Sequence, residues 1–262
     1  MKFINKFLKI CIGCISLIFH KKNDIVSFVS LMHSISYDNT PLTYSPDKLE
    51  SFIRYFLSKD FVFISILDIN NHHYKKSIAL TFDDGYLDNY TILNDILVKY
   101  NIPATIYIAT GFISSSFTDS SFNTYKIMSD DQIKELSNSK HITIGAHTVN
   151  HKRLDKLSYD EQYCEVKNSV EYLNKLTGKE VLTFAYPKGR YNENTLKIVK
   201  NLNLNCPTVE YGIYTNNEFI DNARIKRVNI TNNLSFMDYF LISTGRFNSY
   251  LKLKNTIQRT NK

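Results

Sequence analysis

Two spacings of apolar residues alternate along this chain, and they predict strands and helices in turn. Short apolar runs with branched residues, such as IVSFVSLM and ATIYIA, have the length and composition of buried strands. Segments with apolar residues three or four positions apart lie between these runs and predict amphipathic helices. The predicted strands cover residues 25–32, 61–66, 77–82, 104–109, 142–146, 182–186, 206–214 and 224–230. The predicted helices cover residues 46–59, 90–100, 130–137, 159–176 and 192–202.

Signals for helix ends agree with this alternation. Ser45, Ser129 and Ser158 each precede a predicted helix in the position of an N-cap, and Gly178 is placed to end the longest helix. Strands that alternate with helices are typical of βα units around a parallel sheet. The sequence therefore predicts an α/β fold.

The length of the chain fits one large domain. It has 262 residues, of which 43% are hydrophobic and 22% are charged. An α/β barrel commonly occupies about 250 residues as a single unit. Because no repeat, low-complexity tract or linker divides the sequence, we expect residues 23–262 to form a single domain.

The formal net charge of +7 is partly concentrated at the two ends of the chain. Basic ends favour contact with an anionic membrane face or an acidic polymer. Solvated surface charge is the alternative explanation. The sequence has no basic stripe with interleaved aromatic residues, so we do not expect a nucleic-acid partner.

Residues 1–22 combine an apolar segment with basic flanks. A membrane-spanning helix needs about 20 apolar residues, and the apolar part of this segment is shorter. It is also not followed by the small-residue cleavage site of a signal peptide. The pattern predicts a basic amphipathic segment on a membrane surface. A signal or anchor, or a helix packed on the domain, remains as an alternative. A membrane-associated or cell-envelope location is favoured, with a cytoplasmic location as the alternative.

Candidate chemical groups follow directly after four predicted strands. They are His33, the pair Asp83 and Asp84, His147, and the segment 187–189. Parallel strands end at one edge of their sheet, and the active sites of βα barrels occupy that face. A structural polar residue has no reason to prefer this end of every strand, so the distribution favours an active site.

Two motifs in this set have the composition of a metal site. In TFDDG, residues 81–85, one carboxylate can bind a divalent ion while the other acts as a base. In HTVNH, residues 147–151, two histidines four positions apart would share one face of a helical turn. Two histidines and one carboxylate suit Zn²⁺, with Co²⁺ or Ni²⁺ as alternatives. Either motif alone is also compatible with an ordinary turn, whereas the pair predicts a metal centre.

The order of three motifs resembles a known family. TFDDG at 81–85, HTVNH at 147–151 and FAYPKG at 184–189 are similar to motifs of the polysaccharide deacetylases. These proteins share the NodB homology domain and are also called carbohydrate esterase family 4. The resemblance covers roughly residues 25–230. It implies a distorted (β/α) barrel, commonly with seven strands, that removes N-acetyl or O-acetyl groups from glycans.

The resemblance also implies roles for individual residues. Asp83 occupies the position of the catalytic base. The implied metal ligands are Asp84, His147 and His151. The FAYPKG segment implies a groove wall, with a backbone N–H near Lys188 facing the oxyanion. The candidate substrate or oxyanion residues are Tyr186, Pro187, Lys188 and Gly189, and the tyrosines near the motifs that could line a sugar groove are Tyr86, Tyr186 and Tyr191.

On the acid side of the reaction, the chain departs from the family pattern. Many members supply a histidine from a late strand, but no histidine follows His151 here. In a closed barrel the first and last strands are neighbours, so His33 after the first strand can take that place as general acid. Its context, LMHSI, resembles the first-strand segment of the poly-N-acetylglucosamine deacetylase branch.

A second departure concerns the residue that orients the base. Many members carry an arginine in the third motif, where this chain has Ala185. Arg227 is the leading candidate to orient Asp83 instead, and Arg224 is the alternative.

The motifs therefore predict a metal-dependent hydrolase that deacetylates a hexosamine-containing glycan, in the synthesis or modification of a surface polysaccharide. One alternative keeps the metal and hydrolyses another non-peptide C–N bond. A third possibility is a catalytically silent glycan-binding module, which the missing late histidine would favour and the intact base and ligand set oppose.

Overall fold

The computed structural model describes residues 25–38, 40–71, 74–118, 122–216 and 218–251. The expectations for residues 1–22 concern a segment outside the described residues, and the start of the domain at residue 23 stays a prediction. Among the helices of the described ranges, none has the length and apolar character needed to cross a membrane.

The secondary structure follows the predicted alternation. The strands are β1 (Val26–Leu31), β2 (Ser34–Ile35), β3 (Thr43–Tyr44), β4 (Val62–Phe63), β5 (Lys76–Phe82), β6 (Ala104–Ile108), β7 (Ser116–Thr118), β8 (Thr124–Lys126), β9 (Ile142–Ala146), β10 (Pro207–Tyr211), β11 (Tyr214–Thr215) and β12 (Ile225–Asn229). The α-helices are α1 (Pro46–Leu57), α2 (Asn94–Tyr100), α3 (Asp130–Ser137), α4 (Tyr159–Thr177), α5 (Glu193–Asn201) and α6 (Phe236–Ser243). Short 3₁₀ turns cover Ile66–Asp68, Thr110–Phe112, Leu154–Lys156 and Pro187–Gly189, and a π turn covers Asn89–Leu93.

A mostly parallel sheet in the order β10-β12-β1-β5-β6-β9 forms the centre of the molecule. Residues 182–185 connect its two edges through isolated bridges. On one side the Ala146 N–H donates to the Thr183 carbonyl at 3.0 Å, and on the other the Phe184 N–H donates to the Asn205 carbonyl at 3.0 Å, just before β10. Seven strand segments thus close into a ring, which confirms the predicted distorted α/β barrel.

Helices cover this barrel with apolar faces. In α1 the spacing of Leu49, Phe52, Ile53 and Phe56 places all four in the core. The ring of Phe28 on β1 packs against Phe56 with 5.4 Å between ring centroids. Burying a side chain of this kind stabilises the fold by about 1.5–3 kcal/mol. The packing therefore fixes β1, the strand that leads into His33.

Most of the predicted helix ends are confirmed. Ser129 and Ser158 each accept a hydrogen bond from the third helical residue in a reciprocal capping box. Gly178 ends α4 in the left-handed conformation, with φ of 68°. Ser45 occupies the N-cap position of α1, but its side chain makes no capping hydrogen bond.

Several predicted boundaries were wrong. The strand expected over 61–66 is reduced to β4, because the chain turns into the 3₁₀ turn Ile66–Asp68. The helix expected from residue 90 starts as a π turn and becomes α-helical only at Asn94. The sequence reading also missed the strand pairs β2–β3 and β7–β8 and the helix α6. Each pair forms a separate two-stranded sheet outside the barrel. These short strands lack the long apolar run by which a buried strand is predicted.

The capping boxes allow a direct test of local stability. Ser158→Ala removes the bond to the Glu161 N–H and should lower the free energy of unfolding by about 1 kcal/mol. Ser45→Ala is the matched control, because the Ser45 side chain makes no such bond, and its effect should stay within about 0.5 kcal/mol. Urea denaturation measures both values, and equal losses in the two variants would contradict the assignment.

Candidate active site

Neighbouring strand ends bring the predicted site residues to one face of the barrel. Asp83 and Asp84 follow β5, His147 follows β9, and His33 follows β1. The Asp83 N–H donates to the Met32 carbonyl at 2.9 Å, so the residue just before His33 is bonded to the end of β5. The carboxyl ends of these strands lie at one face of the barrel because the strands are parallel.

Asp84 lies between the two histidines of HTVNH. Its Oδ1 is 3.4 Å from Nε2 of His147 and 3.3 Å from Nε2 of His151. One ligand atom from each of the three side chains lies within 4.8 Å of the others. The left-handed backbone of Asp84, with φ of 75°, turns its carboxylate away from that of the preceding residue. These three side chains could therefore bind one cation together.

The protonation of His147 suits this arrangement. Its Nδ1 lies 2.8 Å from the Ala185 carbonyl, and a carbonyl oxygen can only accept, so Nδ1 carries the hydrogen. Nε2, which faces Asp84 at 3.4 Å, is then the ring atom that could bind a cation in exchange for its proton. Burial lowers the pKa of His147, but the hydrogen bond to Asp84 and the charges of both aspartates outweigh it and raise the pKa. The cluster thus attracts positive charge.

His151 contributes a neutral ring. Burial, and next the charge of the neighbouring His147, lower the pKa of His151 to about 4. At neutral pH its imidazole is therefore unprotonated and can act as a ligand. A carboxylate with two imidazole nitrogens is a donor set that Zn²⁺ accepts, so the residues present fit a divalent transition metal.

The HTVNH segment is a loop, and the helical turn expected for it was wrong. Thr148 and His151 have positive φ values of 65° and 51°, which break the helical path. The Thr148 side chain accepts the His151 N–H at 3.0 Å and stabilises the turn. The two histidines converge through this turn, with 4.9 Å between ring centroids.

Glu165 on α4 holds this loop from behind. Its Oε2 accepts the N–H groups of Val149 at 3.0 Å and Asn150 at 2.8 Å, and its Oε1 accepts the Asn150 side chain at 2.8 Å. Gly111 also closes on the loop, because a Cβ there would lie 2.7 Å from the Val149 carbonyl. This role of Glu165 was not predicted, because no local sequence pattern indicates it.

Tyr86 supports Asp84 from the other side. It is fully buried, and its hydroxyl donates to Asp84 Oδ2 at 2.8 Å. Its ring packs on that of Tyr125, with 4.9 Å between centroids. Tyr86 was a candidate to line a sugar groove, but its burial leaves it no surface for a ligand. One indication of this supporting role was present in the sequence, because Tyr86 directly follows the TFDDG motif.

Asp83 is held by a buried arginine. Nη1 and Nη2 of Arg227 donate to its two oxygens, both at 2.8 Å. Arg227 also donates to the Thr208 carbonyl at 2.7 Å and to the Thr81 hydroxyl at 3.1 Å, and its side chain is fully buried. Burial raises the pKa of Asp83, but the Arg227 charge and hydrogen bonds outweigh burial and hold the pKa below its usual value. Asp83 is therefore ionised.

The other arginine candidate lies elsewhere. Arg224 is 3.7 Å from Glu193 in an ion pair whose two side chains are largely exposed. The buried partner of Asp83 is Arg227.

In the FAYPKG segment the backbone, rather than the ring of Tyr186, is available to a ligand. Tyr186 is fully buried, and its hydroxyl donates to the Ala223 carbonyl at 2.8 Å. Pro187 is also buried. Lys188 has a φ of 55° and belongs to the same segment as Ala185, whose carbonyl accepts from Nδ1 of His147 at 2.8 Å. Among the described residues, none accepts a hydrogen bond from the Lys188 amide.

Comparison with known proteins identifies relatives of this chain. Residues 70–207, just over half of the chain, match the family model described as polysaccharide deacetylase. The poly-beta-1,6-N-acetyl-D-glucosamine N-deacetylase of Staphylococcus epidermidis is 25% identical over 229 residues, which cover 81% of this chain and 76% of that protein. YxkH of Bacillus subtilis, which carries the name of a polysaccharide deacetylase, is 32% identical over 123 residues. That match spans 47% of this chain and 40% of the relative.

Solved structures show the same fold. The Streptococcus pyogenes deacetylase PplD, solved in complex with acetate, is 28% identical, with a TM-score of 0.71 over 84% of this chain and 99% of that one. IcaB from Ammonifex degensii has a TM-score of 0.72 at 18% identity, and the match covers 86% of this chain and 97% of that one. The latter likeness shows the fold alone.

The contact between Tyr86 and Asp84 makes a testable prediction. Tyr86→Phe removes only the hydroxyl group that donates to Asp84. The dissociation constant for Zn²⁺ should rise by about 10- to 100-fold, because the Asp84 carboxylate is then free to rotate. Tyr125→Phe is the control, since that hydroxyl bonds Thr40 at 2.8 Å. Competition with a chromogenic chelator measures both constants, and an unchanged value for Tyr86→Phe would refute the supporting role.

Proposed function

The chain belongs to the polysaccharide deacetylase family, a family of hydrolases, and we propose that it is a metal-dependent enzyme that removes N-acetyl groups from a hexosamine-containing glycan. One observation carries the proposal. An ionised, arginine-held carboxylate, Asp83, stands directly beside the three-residue cluster of Asp84, His147 and His151. A base next to a cation site is the arrangement that hydrolysis of an unreactive amide needs.

The residues that would hold the ion are Asp84, His147 and His151. Zn²⁺ is the proposed cofactor, with Co²⁺ and Ni²⁺ as alternatives, because the donors are one oxygen and two imidazole nitrogens. When bound, the ion supplies Lewis-acid chemistry that polarises the acetyl carbonyl and lowers the pKa of a water molecule.

Asp83 acts as general base in this proposal. Arg227 keeps it ionised, so it can accept a proton from the water that attacks the acetyl carbon. The two parallel bonds from Arg227 also fix the carboxylate plane, which reduces the cost of orienting the base.

The Lys188 amide is the proposed donor to the developing oxyanion. Two observations support this role: its N–H has no acceptor among the described residues, and its segment contacts His147 through the Ala185 carbonyl. A fixed backbone N–H is suited to stabilise the negative charge that builds up on the carbonyl oxygen.

His33 is the proposed general acid. An amine is a poor leaving group, so the C–N bond breaks as the nitrogen takes up a proton. His33 is partly buried directly after β1, and the carbonyl of the preceding residue, Met32, accepts the Asp83 N–H at 2.9 Å, which supports a location beside the proposed base.

The choice of substrate rests on the relatives. The Staphylococcus epidermidis protein is named for deacetylation of poly-beta-1,6-N-acetyl-D-glucosamine, which supports an N-acetylglucosamine polymer for this chain as well. A role in the synthesis or modification of a surface polysaccharide follows from that choice. For the basic residues 1–22, we propose contact with a membrane surface, on their charge and apolar character.

An acetate-release assay tests the proposed function. The chain loaded with Zn²⁺, Co²⁺ or Ni²⁺ should release acetate from N-acetylglucosamine oligomers. Asp83→Asn should lower kcat by about 100-fold or more while the ion stays bound, because it removes the base and none of the ligands. No release from any acetylated glycan with any of these ions would favour a silent binding module, and full activity of Asp83→Asn would exclude Asp83 as base.

The arginine assignment has its own test. Arg227→Lys keeps the charge but cannot make two parallel hydrogen bonds, so kcat should fall by about 10- to 100-fold with little change in metal affinity. Arg224→Lys is the matched control at the surface and should behave like the wild-type chain. Steady-state acetate release, with circular dichroism to verify folding, compares the two. Equal kcat values in both variants would contradict the role of Arg227.

A further inference from the structure

The loop that follows TFDDG also contacts the segment that carries His33. The Asp83 N–H donates to the Met32 carbonyl at 2.9 Å, so the end of β5 is bonded to the residue just before His33. Four residues beyond Asp84, Asp88 turns back towards the same segment. The proposed base and the proposed acid are therefore connected through one short stretch of chain.

Asp88 receives three hydrogen bonds. The Ser34 hydroxyl donates to its Oδ2 at 2.5 Å, the Ile35 N–H donates to its Oδ1 at 2.9 Å, and the Asn89 side chain donates to Oδ1 at 3.0 Å. The residues directly after His33 are thus bonded to a carboxylate that lies more than fifty positions away along the chain.

Asn89 extends the contact to His33 itself. It is fully buried, and its Nδ2 donates to the His33 carbonyl at 3.1 Å. Asn89 opens the π turn Asn89–Leu93, which adds a residue to the helical path at this point. The His33 carbonyl and the two residues that follow it are therefore held by two consecutive residues, Asp88 and Asn89.

The position of Asp88 suggests a purpose beyond helix capping. An aspartate before a helical turn usually accepts hydrogen bonds from the first N–H groups of that turn. Asp88 occupies the N-cap position of the π turn, but its side chain makes no capping bond. Its capacity as an acceptor is used on residues 34 and 35 instead.

We propose that Asp88 is a positioning residue for amide hydrolysis, which acts by holding His33 where it can protonate the leaving amine. This inference rests on the proposed function, because it requires His33 to be the general acid. In the step concerned, the C–N bond breaks, its electron pair stays on nitrogen, and His33 gives that nitrogen a proton. Displacing such a group by about 1 Å can lower the rate by about 100-fold.

The leaving group provides a readout that a purely structural role would not change. 4-Nitrophenolate leaves from 4-nitrophenyl acetate without help from an acid, whereas an amine does not. Loss of the acid, or of its position, should therefore slow amide hydrolysis and leave ester hydrolysis almost unchanged. Loss of the base or of a metal ligand should slow both reactions.

The experiment compares Asp88→Asn, His33→Ala and the double variant in the metal-loaded full chain, on N-acetylglucosamine oligomers and on 4-nitrophenyl acetate. Asp88→Asn should lower kcat on the glycan by about 10- to 100-fold and change ester turnover less than about threefold. In the His33→Ala background it should have no further effect, because the group it positions is already absent. Asp38→Asn, an exposed aspartate of the same segment that accepts from Ser36, is the control and should match the wild-type chain.

The possible failures are distinguishable. If His33→Ala slows both substrates equally or neither, His33 is not the acid and the proposed function fails at that step. If His33→Ala is selective for the glycan but Asp88→Asn matches the control, the positioning role of Asp88 is wrong while the acid assignment stands. If Asp88→Asn slows both substrates equally, its role is structural, and the inference is overturned.

Discussion

The buried ion pair between Asp83 and Arg227 is the interaction on which the geometry of the site depends. Both side chains are removed from water, so breaking the pair would leave an uncompensated charge at a cost of about 3–5 kcal/mol. Arg227 also bonds Thr81 on β5 and Thr208 on β10. One side chain from β12 therefore joins strands that are not neighbours in the barrel, and it also fixes the Asp83 carboxylate.

Two adjacent carboxylates can serve different purposes here because the backbone turns between them. Asp83 continues the direction of β5 towards Arg227, whereas the positive φ of Asp84 sends its carboxylate to the histidines. Tyr86 then holds Asp84, and Asp88 reaches the segment after β1. Each polar residue in this short stretch has a separate partner, so a single strand end organises most of the site.

The sequence predicted the strand ends and the parallel βα arrangement because these depend on local periodicity. The barrel was predicted from the motifs, through their resemblance to a known family. Arg227 was a candidate because Ala185 stands where many family members carry an arginine, and its bidentate contact with Asp83 spans 144 positions, beyond the reach of any local pattern. Glu165 could not be found in this way, since it reaches the histidine loop from the middle of a helix. The loop conformation of HTVNH also escaped prediction, because the positive φ values are imposed by Glu165, Thr148 and the close approach of Gly111.

The closure of the barrel at residues 182–185 has a consequence for how folding and ion binding depend on each other. This seam is joined by isolated bridges rather than a continuous ladder, so few hydrogen bonds resist local opening there. The Ala185 carbonyl at the same seam accepts from Nδ1 of His147. A cation that fixes His147 would therefore make opening of the seam more costly, and closing of the seam would in turn improve binding of the cation. Occupancy of the site and integrity of the barrel are thus two linked equilibria, and amide-hydrogen exchange at the seam would report on both.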